Sequence, residues 1–435
     1  MITELELTGY RSLNDFKADF KKLTIVIGAN ACGKSTLIDS VQLISDSMSF
    51  PITDTLNWHG GLRFLMNAFG QNSKIGWTIT FNRSDLPDIW SEIPLKSRDH
   101  TYEVIIQPDS YGMPKISREI LRQTELDPGY SDYFKLIDTS RGRPMVFSRA
   151  SNEFVDFNKS AAAKDQNEKR EKEDLKETTS GAEVEKISDA YRPEQSLLLS
   201  KMRFYSDFPD PSIIRLLLST FETYPGFDVS KSSALRTKPA EIKPNTSLLR
   251  TGENLGTVLH EIFTRHNYKS TADDILDFVK SAYPFIEGIW AETSNTNPPA
   301  VSVRIHEKGM NRPMELWDLS DGCMRFLCLS TALLNPVPPP FIAIDEPEAG
   351  LHPRLMPIIA DIIKTAAERT QVLVSTHSPD LLNCFELGDV AVMVREGDAV
   401  RWNRPGDRKS LRKMLETVQG EKIGDLHRSG ELEAL

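Results

Sequence analysis

The chain opens on alternation. Thr3 to Leu7 places apolar and polar residues in turn, and Leu23 to Ile27 is an apolar run, so each predicts a β-strand, with Ser12-Leu13-Asn14-Asp15 as the turn-prone stretch between them. Ile75–Phe81 and Tyr102–Gln107 predict two further strands. After Gly33 the period changes. Leu37, Ile38, Val41 and Leu43 fall at helical spacing, so a helix is expected over Ser35 to Leu43.

From Lys159 to Ser188 the pattern disappears into Lys, Glu, Asp, Ser and Ala, a composition that cannot bury a core and predicts a disordered or solvated segment. Gln195 to Phe221 and Leu255 to Phe285 then read as helical, and Pro299 to His306 returns to strand alternation with Lys308-Gly309 as a turn. Beyond Leu319 the order becomes α/β: Phe341–Ile344 and Gln371–Val374 are short apolar runs separated by a helix expected over Arg354 to Arg369, the signature of parallel buried strands. Four segments follow: a β-rich first half of a core over 1–158, a charged segment over 159–188, a mostly helical insertion over 189–298, and the second half of the core over 299–435.

Composition adds limits. Of 435 residues, 39% are apolar and 26% charged, the balance of a globular protein with material for a core. No apolar run is long enough to cross a bilayer, and the amino terminus reads as a strand, not a signal peptide, so a cytoplasmic chain without membrane contact is expected. Cys32, Cys323, Cys328 and Cys384 are scattered and lack neighbouring ligand partners, which predicts reduced thiols and no metal at the Cys323–Cys328 pair. The formal charge of −10 argues against a uniformly nucleic-acid-binding surface, although a local basic groove is compatible with it.

The chemistry sits at the ends of the predicted strands. Gly28-Ala29-Asn30-Ala31-Cys32-Gly33-Lys34-Ser35-Thr36 follows one strand and opens a helix, and it matches the phosphate-binding pattern G-x-x-x-x-G-K-[ST]. Its glycines let backbone N–H groups turn inward, Lys34 brings a point charge to the β- and γ-phosphates, and Ser35 offers a hydroxyl to Mg²⁺. Asn30, Gly33 and Thr36 complete the expected nucleotide contacts. The strand Phe341–Ile344 runs into Asp345-Glu346-Pro347, where Asp345 is expected to hold Mg²⁺ and Glu346 to activate the attacking water. Ser320, in Leu319-Ser320-Asp321-Gly322-Cys323, is expected to cap a helix and present an anion-binding terminus. His377, in Ser375-Thr376-His377-Ser378-Pro379, follows a core strand and is expected to reach the nucleotide crevice.

In this order, and with Glu348-Ala349-Gly350-Leu351-His352-Pro353 between the last two, the motifs resemble those of ABC-type ATPases, closest to the RecF, SMC and OLD group. Gly9-Tyr10-Arg11-Ser12-Leu13 at the start and Gly424-Asp425-Leu426 with Gly430-Glu431-Leu432 at the end resemble that group as well. The resemblance covers roughly residues 1–85 and 315–435. It implies a P-loop ABC-type α/β head with a β-rich lobe, a parallel-sheet core and an inserted, mostly helical lobe. It further implies that Ser320 and Gly322 contact the γ-phosphate held by a second subunit, that Glu348–His352 is the loop between two composite sites, and that His377 is the switch histidine. Arg11 is implied to lie near the nucleotide, and the metal-facing glutamine is assigned to Gln195, with Gln71 and Gln107 as alternatives. Asp321, Cys323 and Cys32 depart from the usual residues, and Cys32 has no evident reading from sequence.

The expected function is an ATP-hydrolysing switch that works as a dimer of this chain in DNA repair or in defence against phage and foreign DNA. The stretch after His377 is too short for a nuclease domain of ordinary size, so an effector or nuclease on a separate protein is expected, with DNA as a possible ligand. Two other readings compete: the nucleotide-binding subunit of a membrane transporter, disfavoured by the wide separation of Lys34 from Ser320, and an SMC-like structural ATPase, disfavoured by the lack of long heptads.

Overall fold

The structure is a computed structural model that describes residues 1–67, 73–82, 99–126, 132–140, 142–149, 151–159, 191–202, 208–237, 240–241, 247–294, 300–408 and 422–434. Residues 160–188 of the charged segment, and Gln71, lie outside the described residues. Strands in chain order are β1 (Ile2–Thr8), β2 (Phe16–Asp19), β3 (Leu23–Ile27), β4 (Ile75–Phe81), β5 (His100–Pro108), β6 (Pro114–Gln123), β7 (Lys135–Asp138), β8 (Met145–Ser148) and β9 (Glu153–Asp156). They continue as β10 (Glu222–Tyr224), β11 (Ala240–Glu241), β12 (Ile286–Ser294), β13 (Ala300–Glu307), β14 (Met314–Glu315), β15 (Phe341–Asp345), β16 (Gln371–Ser375), β17 (Val390–Glu396) and β18 (Ala399–Asn403). The chain divides into two compact units; among the described residues, one holds 1–19 and 42–220, the other 20–41 and 221–435.

The first unit is built on a sheet of order β2-β1-β4-β5-β6-β7-β8-β9, in which every neighbouring pair is antiparallel. Alternation along β2, buried and exposed in turn, sends Phe16 and Ala18 inward and Lys17 and Asp19 out. One charge is buried with them. Glu119 on β6 is fully enclosed and accepts hydrogen bonds from the backbone N–H groups of Leu198 (2.6 Å) and Leu199 (2.7 Å) and from the Tyr102 hydroxyl (2.9 Å). Burial pushes its carboxyl up to about 7, and these three donors pull the other way. The segment that carries Gln195 is thereby tied to the sheet.

The second unit is built on a sheet of order β10-β15-β16-β3-β17-β18, parallel except for the last pair. β3 and β16 are buried along their whole length, Thr24, Gln371 and Ser375 included, which explains why apolar residues dominate both. Helices cover it: Val258, Leu259 and Ile262 of Leu255–Thr264, Ile275 and Val279 of Lys269–Ala282, Leu327 of Asp321–Leu333 and Ile359 of Met356–Arg369 share one core with Ile25, Ile342 and Val374. A smaller antiparallel sheet, β11-β13-β12 with β14 beside β13, belongs to the same unit.

Several elements differ from the sequence expectation. Within 189–298, expected to be mostly helical, the helices Pro209–Ser219, Leu255–Thr264 and Lys269–Ala282 stand beside the strands β10, β11 and β12. β10 is three residues long and owes its state to parallel pairing with β15, a contact that no local pattern encodes. The helix expected from Arg354 begins at Met356. Pro353–Leu355 forms a 3₁₀ turn instead, whose start is capped by His352 Nδ1 accepting from the Arg354 N–H at 3.1 Å.

Candidate functional site

The parallel pairing brings three chain segments side by side. β16 lies between β3 and β15, with Ser375 in register with Val26 on one side and Asp345 on the other. The Thr376 N–H continues this ladder, donating to the Val26 carbonyl at 3.0 Å. The loops that leave the carboxyl ends of these strands are therefore neighbours: Gly28–Lys34, Glu346–Gly350 and Thr376–Ser378. This is the end of a parallel sheet at which open α/β folds place their ligands.

The first loop is held by its own backbone. Gly28, Gly33 and Ala31 all have positive φ, and the Cys32 N–H donates to the Ala29 carbonyl at 3.3 Å. A Cβ on Gly28 would sit 2.2 Å from the Met393 carbonyl oxygen, so only glycine fits there. The Lys34 ammonium is buried and points into the loop, donating to the carbonyls of Gly28 (2.8 Å) and Ala29 (3.2 Å). Asn30 and Ser35 are exposed, while Gly33 and Thr36 are half-buried. Cys32 is buried beneath the loop, its sulfur 2.9 Å from where a Gly28 Cβ would be, and burial pushes its thiol up. The sulfur packs inside the loop, between Gly28 and the Lys34 ammonium, whose Nζ lies 3.9 Å from it, so a buried thiol fills the place of the usual small polar residue.

The second loop starts with strain. Glu346 has φ +47, a left-handed conformation that costs a non-glycine residue on the order of 1–2 kcal/mol. Its N–H is fixed to the Ser375 carbonyl (3.1 Å) and hydroxyl (3.3 Å), and the Ser375 hydroxyl also donates to the Asp345 carboxylate. His377 Nε2 lies 3.8 Å from Glu346 Oε1, too far for a hydrogen bond and close enough for both to meet one water. Burial lowers the His377 pKa, the Lys34 charge lowers it further, and Glu346 and Glu348 oppose both, so the imidazole is neutral at neutral pH. Asp345 and Glu346 also border a cleft of about 340 Å³ shared with Tyr224, Phe227 and Arg325.

Glu348 was expected only as the start of a loop between sites. Its Oε1 accepts from the Thr376 hydroxyl (2.7 Å), the His377 N–H (2.9 Å) and the Ser378 N–H (3.1 Å), so it fixes the backbone on which His377 stands. The acidic residue of Glu346-Pro347-Glu348 was visible in the sequence, but its target was not. Ser320 caps the helix Asp321–Leu333 as expected, accepting from the Cys323 N–H at 3.3 Å, and its side chain is exposed. A Cβ on Gly322 would lie 3.5 Å from the Gly350 carbonyl oxygen, which puts the Leu319–Cys323 loop against the Glu348–His352 loop. At the carboxyl terminus, the Gly424 N–H donates to Asn383 Oδ1 at 2.7 Å, and a Cβ on Gly424 would meet the Pro379 carbonyl at 2.3 Å. The closing motif is thus a helix, Ile423–Ser429, docked onto the segment that follows His377.

Arg11 and Gln195 belong to the other unit and are described by their own surroundings. Arg11 has φ +46, lies 5.7 Å from the Tyr10 ring centroid and donates from Nη2 to the His59 carbonyl at 2.7 Å. Gln195 is exposed, and its backbone carbonyl accepts from the Ile52 N–H at 2.8 Å. Gln107 on β5 is likewise exposed.

Residues 23–383 match the family described as "AAA domain, putative AbiEii toxin, Type IV TA system". The chain belongs to this family. Among solved structures, the SMC head bound to the C-winged helix domain of ScpA is similar over 93% of this chain and 99% of its own, at 13% identity and a TM-score of 0.52. The SMC head domain from Thermotoga maritima matches at 12% identity and a TM-score of 0.41, covering 93% of this chain and 98% of its own. The Smc head domain with an extended coiled coil from Pyrococcus furiosus, bound to the C-terminal domain of ScpA, matches at 15% identity and 0.47, covering 95% and 98%. No curated protein matches the chain. The family member thus has the fold of a P-loop ABC-type ATPase head. Among its described residues, no helix is long and apolar enough to cross a membrane.

Proposed function

We propose that the chain is an ATP-hydrolysing switch whose nucleotide is shared between two copies. The observation that carries this reading is the alignment of β3, β16 and β15, which sets the Lys34 loop, His377 and the Asp345-Glu346 pair at one edge of the sheet. The residues fit Mg-ATP. Lys34 already spends its ammonium on two loop carbonyls that a phosphate would replace, and Ser35 stands exposed at the first turn of the helix Lys34–Ser47. The metal would be held by Ser35 and Asp345, with Gln195 as the expected further ligand, and would neutralise charge on the phosphates. Asn30, Gly33 and Thr36 would line the phosphates, and Arg11 is the expected additional contact near the nucleotide.

In turnover, Glu346 takes a proton from the attacking water as its oxygen bonds to the γ-phosphorus and the bridging P–O bond to ADP breaks. His377, neutral and 3.8 Å from Glu346, hydrogen-bonds the same water or the γ-phosphate. Ser320 and Gly322 stand away from the chain's own phosphate loop in sequence and serve the nucleotide of the second copy, so ATP joins two subunits and hydrolysis releases them.

The output falls in DNA repair or in defence against foreign DNA, acting through a separate effector or nuclease in the cytoplasm. The family's description, which includes a toxin of a type IV toxin–antitoxin system, favours the defence branch. The test is Glu346→Gln. We expect ATP binding to persist, turnover to fall by roughly 10²–10⁴-fold, and a dimer to accumulate with ATP in light scattering. Normal turnover in this variant would remove Glu346 from the mechanism, and a monomer at saturating ATP would remove the shared site.

A further inference from the structure

Arg236 lies on the short helix Ala234–Thr237, in a stretch to which the sequence patterns attach no role. Its side chain is only 9% exposed, and both of its terminal nitrogens reach the Leu319–Cys323 loop or the residues just before it. Nε donates to the Val229 carbonyl at 2.7 Å, and Nη1 donates to the carbonyls of both Trp317 and Leu319 at 2.9 Å. Nη2 donates to the carboxylate of Asp321, the residue that departs from the usual signature. A planar guanidinium presents its donors in a fixed fork, so these bonds set position and direction together. Ser320 lies between two residues that Arg236 holds, Leu319 by its carbonyl and Asp321 by its carboxylate.

We infer that Arg236 is the positioning residue that presents Ser320 and the amino end of the helix Asp321–Leu333 to the nucleotide of a second copy of this chain. Asp321 is then the guanidinium's anchor, which explains a carboxylate where the transporter signature has glycine. The inference rests on the shared-site reading above and adds a part to it. Arg236 acts through the loop that carries Ser320. Its loss leaves the phosphate loop of its own subunit intact and disables the face offered to the partner.

The full chain carrying Glu346→Gln supplies the test, read by ATP affinity of the monomer and by ATP-dependent dimerisation in light scattering. Adding Arg236→Ala is expected to leave ATP affinity within about two-fold and to weaken dimerisation on the order of ten-fold or more, the scale of hydrogen bonds made by a charged donor. Arg236→Lys keeps the charge without the fork and is expected to recover only part of the loss. Because Arg236 is enclosed, Asp321→Asn, at a side chain 70% exposed, provides a variant that leaves the fold alone; a smaller dimerisation defect at unchanged ATP affinity is expected. Normal dimerisation of the Arg236→Ala variant, or of Asp321→Asn if Arg236→Ala does not fold, overturns the inference. Failure of Glu346→Gln alone to dimerise instead overturns the shared-site reading beneath it.

Discussion

In the first unit every strand of the large sheet runs against its neighbours, and charges sit on it as pairs: Lys17 bridges Glu4 at 2.6 Å and Glu6 at 2.9 Å, and Arg118 meets Glu103 at 3.2 Å. In the second unit β3 and β16 have no exposed residue, and the residues of the candidate site stand at or just beyond the ends of their strands. The difference follows from how each sheet is covered. A sheet buried on both faces has no side-chain position for a reacting group, so that group must stand on the loops, where parallel strands deliver several loops to one edge. An antiparallel sheet delivers neighbouring loops to opposite ends, and its charged side chains serve solubility and register instead.

The sharpest way to break this contrast is to neutralise one charge in each unit. Lys34→Ala should lower ATP turnover by roughly 100-fold or more, the scale for removing a preorganised donor from a charged transition state, with little change in melting temperature. Lys115→Ala on β6, whose exposed side chain only approaches Glu194 at 4.0 Å, should change turnover less than about two-fold and stability by under about 1 kcal/mol. Comparable losses of turnover in the two variants would erase the division of labour.

A second prediction concerns Glu119, the carboxylate buried on β6. Glu119 titrates near 7 when folded and at the ordinary 4.5 when unfolded, so between those values the folded chain holds one more proton. Stability contributed by this site is therefore greatest below pH 4.5, falls as pH rises through 7, and is lower above 7 by about 3 kcal/mol. Glu119→Gln should flatten that part of the stability–pH curve in denaturant melts. A curve that keeps its slope in the variant would assign the titration elsewhere.

The smallest loss expected from a change at the site itself sharpens the comparison inside the parallel unit. Glu348→Ala removes the acceptor for three donors around His377 and should lower kcat by roughly ten-fold while leaving KM nearly unchanged. Glu348→Gln keeps a carbonyl oxygen for those donors and should retain most of the activity. Equal losses in both would mean that the charge of Glu348, rather than its acceptor, is what matters.

Much of the second unit is legible in the sequence because burial on both faces favours apolar residues at successive positions. Leu23–Ile27 was read with its observed bounds, and Phe341–Ile344 and Gln371–Val374 each fell one residue short. β6 was not read: Pro114–Gln123 carries Lys115, Arg118, Glu119 and Arg122, and a buried glutamate breaks the alternation that marks a strand. The sequence reading also leaves out β17, although Gly388-Asp389 precedes its apolar run, and β18, whose Ala399–Asn403 carries Arg401 and Asn403 and buries only Val400.

The sequence by itself determined the phosphate loop, the carboxylates that end β15 and the histidine that follows β16, because glycine spacing, apolar runs and the residues just beyond them are local properties that the chain writes in order. Only the tertiary structure decided that Arg236 grips Asp321, that Glu348 holds the backbone of His377, and that the Cys32 sulfur packs between Gly28 and the Lys34 ammonium. Those contacts join residues separated by 85 and 29 positions in the first two cases. They depend on strand order and on which side chain a finished core leaves room for, and neither is recorded in any period along the chain.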